Sequence, residues 1–132
     1  MPQASPLPAL NLLFLARLRA LFGGGRAPYN KVDAKEAERL VREQGAVLVD
    51  VREGFEWRRG HAPGARHIPL GKVKAHLAEL PRDRPVVLMC ALGARSAMAA
   101  RTLAENGFAD VHNLEGGFRA WRKAGLPEQA EE

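Results

Sequence analysis

The chain has 132 residues, enough for one domain and a short appendage. Its 46% hydrophobic and 27% charged content suits a soluble globular protein and excludes a disordered one. A single cysteine, Cys90, excludes an intrachain disulfide framework and a zinc site built on several thiolates; the net charge of +5 comes without a zinc-finger, RNP-like or basic-helix pattern, so nucleic acid is not an expected partner.

The leader comes first. Leu7 to Phe22 is apolar but interrupted by Asn11, Arg17 and Arg19, too short for a clean membrane span of ~20 residues. It lacks the charged start and small-residue cleavage site of a secretory signal. The pattern predicts an N-terminal apolar helix that packs on the domain or on a partner. Leu10, Phe14, Leu18 and Leu21 also share one side, which admits a membrane-surface role for residues 7–22. Gly23, Gly24, Gly25 and Pro28 break this helix. The expected organisation is a leader and linker over 1–28, a domain over 29–125 and an acidic tail over 126–132.

Within the domain, short apolar runs alternate with helical segments. Val32 lies in a short extended piece. Asp33 followed by Glu36 starts a helix that Gln44-Gly45 ends. Residues 46–51 form a β-branched run, read as a buried parallel strand. Residues 54–59 make a helical turn, 61–64 a loop and 65–68 a short strand. Lys72 to Glu79 reads as a helix stopped at Leu80-Pro81. Residues 85–90 form a second buried strand, and Ser96 to Glu105 a helix. Asp110 to Leu114 is a strand, Glu115 to Gly117 a turn, and Phe118 to Lys123 a last helix. The alternation predicts an α/β fold: a parallel β-sheet core with helices on both faces.

In such sheets ligands bind beyond the carboxyl ends of the strands. Asp50 ends one predicted strand and Cys90 another, so the one thiol falls where this architecture places chemistry. Cys90 is followed by Ala91, Leu92, Gly93, Ala94, Arg95 and Ser96, then by a helix. A strand, a tight loop and a helix N-terminus aim backbone N–H groups at one point, a nest that binds anions and stabilises a thiolate. Arg95 adds positive potential. Ser96 is placed to cap the helix or to hydrogen-bond the sulfur. Asp50 is read first as a structural ion pair or cap. Arg52, Arg58, Arg59 and Arg66 lie in a basic stretch; any of the last three turned toward Cys90 would bind an anionic donor. The four histidines show no metal-ligand spacing, so no metal is expected.

These residues resemble the rhodanese-like domains over roughly 30–125. Val49 to Glu53 resembles that family's Asp-x-Arg strand end. Glu56, Gly60 to Ala65 and Ile68-Pro69 resemble its Glu-x-x-x-Gly-His-Ile-Pro-Gly-Ala segment, with Ala62 where an isoleucine is usual. Cys90 to Ser96 resembles the active loop, and Leu114 to Gly117 with Trp121 the closing Gly-Gly and Trp segment. The resemblance implies a thiosulfate sulfurtransferase that needs no cofactor. Cys90 would carry the sulfur as a persulfide, cradled by N–H groups from Ala91 to Arg95. The implied partners are a small anionic sulfur donor and a thiol or cyanide acceptor. Asp50, Arg52 and Arg66 would support the site. A sulfur-carrier or partner-binding module acting within a complex is the alternative reading. A phosphatase or arsenate reductase fits less well. The loop from Cys90 to Arg95 has six residues where related phosphatases have seven, and Ser96 stands where they need an arginine. The expected location is cytoplasmic, with membrane association through residues 7–22 as the variant.

Overall fold

The computed structural model describes residues 28–131, so the expected leader helix lies outside the described residues. Five strands, β1 (Asn30–Val32), β2 (Val47–Asp50), β3 (Arg66–His67), β4 (Val86–Met89) and β5 (Val111–Leu114), form one sheet. Its order is β1-β5-β4-β2-β3, and every pairing is parallel. The helices are α1 (Ala34–Gln44), α2 (Gly54–Arg59), α3 (Ala94–Glu105) and α4 (Gly117–Lys123).

The three inner strands, β2, β4 and β5, are buried throughout because both faces of the sheet are covered there. Side chains alternate between two cores, as the period of two along a strand requires. Val47, Val49, Val86, Leu88 and Val111 pack with Ala99, Ala100 and Leu103 of α3, and with Val73 and Leu80. Leu48, Val87, Met89 and Leu114 face the other way, against Ala34, Ala37 and Leu40 of α1 and Phe118 and Trp121 of α4. Ala62 is fully buried in this second core, so the smaller residue at that position sits away from the loop.

The chain runs from β2 out to the edge strand β3, then returns to β4 on the far side of β2. The strand order therefore switches between β2 and β4, and a parallel sheet opens a crevice at such a point. Asp50 ends β2, and Cys90 follows β4.

Local signals set most boundaries. The Asp33 side chain accepts from the Glu36 N–H at 2.8 Å, and Gly45 closes α1 at φ +65°. Two expectations are corrected. The segment expected as one helix over 72–79 is instead a pair of 3-10 turns, Leu70–Lys72 and Lys74–Glu79. It is pinned at both ends: the Leu70 N–H bonds the Val51 carbonyl, and Arg66 bonds the Glu79 carbonyl. A 3-10 turn rises about 2.0 Å per residue against 1.5 Å in an α-helix, so it spans this return with fewer residues. Likewise α3 begins at Ala94 with Gly93 as its N-cap, two residues before the expected start.

Beyond α4 the chain folds back. His61 and Gln129 exchange backbone hydrogen bonds at 2.8 and 2.9 Å, and Trp121 Nε1 donates to the Pro127 carbonyl. Among the described residues, no helix is long and apolar enough to cross a membrane.

Leu103 is fully buried between α3 and the sheet. Leu103→Ala is expected to cost about 2–5 kcal/mol. Urea unfolding would show a lower midpoint at an unchanged slope; an unaltered midpoint would contradict this packing.

Candidate active site

Cys90 is buried at the carboxyl end of β4. The Gly93 N–H donates to its Sγ at 3.0 Å and the Ser96 hydroxyl approaches at 3.3 Å. The N–H groups of Leu92 and Ser96 also turn to the sulfur. Ser96 lies in the first turn of α3, where N–H groups have no intrahelical partner, so its N–H is free to do this. Burial pushes the Cys90 thiol up, but the hydrogen bonds from Ser96, Gly93 and Leu92 together outweigh it and leave the pKa lowered. The site thus favours a thiolate, the nucleophilic form of sulfur.

Ser96 has one hydroxyl proton and two acceptors in reach, Sγ and the Gly93 carbonyl at 3.2 Å. That carbonyl already accepts from the Ala97 N–H and from Asn113 Nδ2, each at 3.1 Å. The proton is therefore better used on the sulfur. Of the two expected roles for Ser96, the structure selects the sulfur partner over the cap.

The loop is held from outside. The Phe118 N–H donates to the Cys90 carbonyl at 2.7 Å and the Arg119 N–H to the Ala91 carbonyl at 3.2 Å. Gly117 (φ +59°) allows this approach; a Cβ there would stand 2.4 Å from the Cys90 carbonyl oxygen.

The supporting residues divide. Asp50 and Arg52 form a buried ion pair, with Arg52 Nη2 at 2.8 Å from Oδ2 and Nε at 3.0 Å from both oxygens. Arg52 also donates to the Gly60 carbonyl and lies 4.3 Å over the Phe118 ring. Arg95 is turned onto Glu56 in a bidentate pair at 2.7 and 3.0 Å, which ties α2 to α3 and holds the Glu56 carboxyl below its usual range. Arg95 thus serves the loop as a brace. Arg66 is the one supporting residue not brought to the loop. It donates to the Glu79 carbonyl and lines a separate cavity with His67, Lys72 and His76. His61 fixes its own loop, donating its Nδ1–H to the Trp57 carbonyl at 2.7 Å and stacking on the Trp57 ring at 3.5 Å.

A pocket of about 340 Å³ opens beside the loop, lined by Arg52, Ala91, Leu92, Phe118, Arg119 and Arg122. Phe118, Arg119 and Arg122 were absent from the sequence-derived site. They follow Cys90 by about thirty residues, and only the anchoring of α4 on the loop brings them there. The pair Gly116-Gly117 before them was the available signal. Among the described residues, no group of three or more His, Cys, Asp or Glu could hold a metal ion.

Comparison with known proteins agrees with this geometry. The family model described as rhodanese-like domain matches residues 33–124. The chain is 38% identical over 99 residues to a sulfurtransferase of Allochromatium vinosum, covering 74% of this chain and 92% of that protein. It is 40% identical over 89 residues to the thiosulfate sulfurtransferase GlpE of Pseudomonas paraeruginosa, covering 67% of this chain and 81% of that protein. An uncharacterized Bacillus subtilis protein, YqhL, is 47% identical over 76 residues, which span 58% of this chain and 60% of that protein's length. A crystal structure of a rhodanese-related protein from Thermoplasma volcanium superposes with a TM-score of 0.71 at 29% identity, covering 78% of this chain and all of that one.

The lowered Cys90 pKa sets a pH dependence. Alkylation by iodoacetamide follows the thiolate fraction, so the wild-type rate should plateau at a lower pH than a free thiol near 8.5. Ser96→Ala removes one stabilising hydrogen bond and should move that profile to higher pH. Superimposable profiles would show that the hydroxyl does not serve the sulfur.

Proposed function

Because the chain belongs to the rhodanese-like domain family, we propose that it is a thiosulfate-type sulfurtransferase working through a Cys90 persulfide. The observation that carries this reading is the convergence of the Leu92, Gly93 and Ser96 N–H groups on a buried, thiolate-favouring sulfur within a six-residue loop. The curated relatives named as sulfurtransferases support it.

The reaction divides into two displacements. The Cys90 thiolate attacks the sulfane sulfur of thiosulfate; the new S–S bond forms as the old one breaks, and sulfite leaves with the electron pair. The terminal sulfur of the resulting persulfide carries the negative charge, which suits a loop of inward N–H donors. A thiolate or cyanide acceptor then attacks that outer sulfur, and Cys90 leaves as the thiolate. Such covalent division predicts ping-pong kinetics. The chain has no second cysteine to resolve the persulfide, so the acceptor must come from outside.

The test is incubation with thiosulfate followed by intact-protein mass spectrometry. Wild type is expected to gain one sulfur atom and Cys90→Ser none. No adduct on wild type with thiosulfate and other sulfane donors, or robust Cys90-dependent hydrolysis of an aryl phosphate instead, would overturn the reading.

A further inference from the structure

Three arginines line the pocket beside Cys90, and they are not equivalent. Arg52 is spent on Asp50, with Nη2 at 2.8 Å, and is capped by the Phe118 ring. Arg122 pairs with Glu128 at 3.0 Å. Arg95, the arginine of the loop itself, does not line the pocket and is held by Glu56. Arg119 has no acidic partner among the described residues. Its position is nevertheless fixed, because its own N–H donates to the carbonyl of Ala91, the residue after the nucleophile. The pocket thus has an apolar floor of Ala91, Leu92 and Phe118, and one guanidinium whose charge is not already matched.

We propose that Arg119 is the specificity-determining residue of the site, binding the anionic end of the sulfur donor while its sulfane sulfur faces Cys90. This rests on the sulfur-transfer reading for its substrate and on the pocket geometry for its charge preference. A guanidinium offers a planar fork of donors that matches a sulfonate-like or carboxylate group. The pocket exceeds what one inorganic donor fills and lies at the small end of organic ligand sites, about 300–1,000 Å³. It therefore also admits organic persulfides that carry an acidic group, and it disfavours cationic ones.

The experiment uses the full chain and two independent readouts. The first compares alkylation of Cys90 by iodoacetate and by iodoacetamide, which differ in charge. In Arg119→Ala the iodoacetate-to-iodoacetamide rate ratio should fall about fivefold, and Arg119→Lys should restore part of it. Arg101→Ala removes the same charge from the exposed side of α3 and should leave the ratio unchanged. The second readout is thiosulfate-dependent turnover, where Arg119→Ala should raise KM about tenfold with kcat within about twofold. An unchanged alkylation ratio in Arg119→Ala, or an equal fall in Arg101→Ala, overturns the proposal. Absence of turnover in wild type with thiosulfate and with organic persulfide donors would defeat the sulfur-transfer reading instead, and the alkylation ratio would still decide whether Arg119 selects anions.

Discussion

The site depends on which way three peptide units point. A trans peptide sets its C=O and N–H in opposite directions. When α4 takes the Cys90 and Ala91 carbonyls outward through the Phe118 and Arg119 N–H groups, the Leu92 N–H, which shares its peptide with the Ala91 carbonyl, is turned the other way, toward the sulfur that the Gly93 N–H also reaches. Those inward groups are what make Cys90 a favourable place for negative charge. Gly117 and Gly93 are the steric conditions for this arrangement, the first by close approach and the second by its φ of +117°. A loop of the same sequence without α4 against it would have no reason to keep its donors convergent.

Around that loop, charge is arranged so that cations brace instead of compete. Arg95 and Arg52 each hold a carboxylate through two guanidinium donors, and each pair joins segments far apart in the chain or adjacent at a strand end. A buried guanidinium left unpaired would be costly, and the pairing of Arg52 with Asp50, the Gly60 carbonyl and the Phe118 face meets its needs. The consequence is selective. The arginine inside the Cys90 loop and the buried Arg52 both stabilise the frame, and the guanidinium left unpaired at the pocket among the described residues, Arg119, belongs to α4.

The sheet explains why frame and pocket meet at one end. All five strands run in parallel, so every strand delivers its following loop to the same edge. The Cys90 loop follows β4, Arg52 follows β2 and α4 follows β5. Parallel pairing of β4 with β5 and with β2 puts these three connections side by side. The two cores, one beneath α3 and one beneath α1 and α4, hold the sheet that positions these loops.

Residues with strong local physics were legible from the chain alone. The β-branched runs at 46–51 and 85–90, the Asp33 cap, the Gly45 stop and the Cys90–Ser96 loop each follow from short-range sterics and hydrogen bonding, so they appear in sequence. Membership of the rhodanese-like domain family was legible for the same reason, since its motifs are local. Tertiary structure decided what depends on distance. It chose the sulfur over the cap for Ser96 by starting α3 at Ala94, stretched 70–79 into 3-10 turns, sent Arg66 to another cavity, spent Arg95 on Glu56, and brought Arg119 to the mouth of the site. The lone cysteine was legible in the chain as the candidate nucleophile; its environment comes from strands and helices packed across the sheet, because side-chain direction and charge pairing are set by neighbours that the linear order separates.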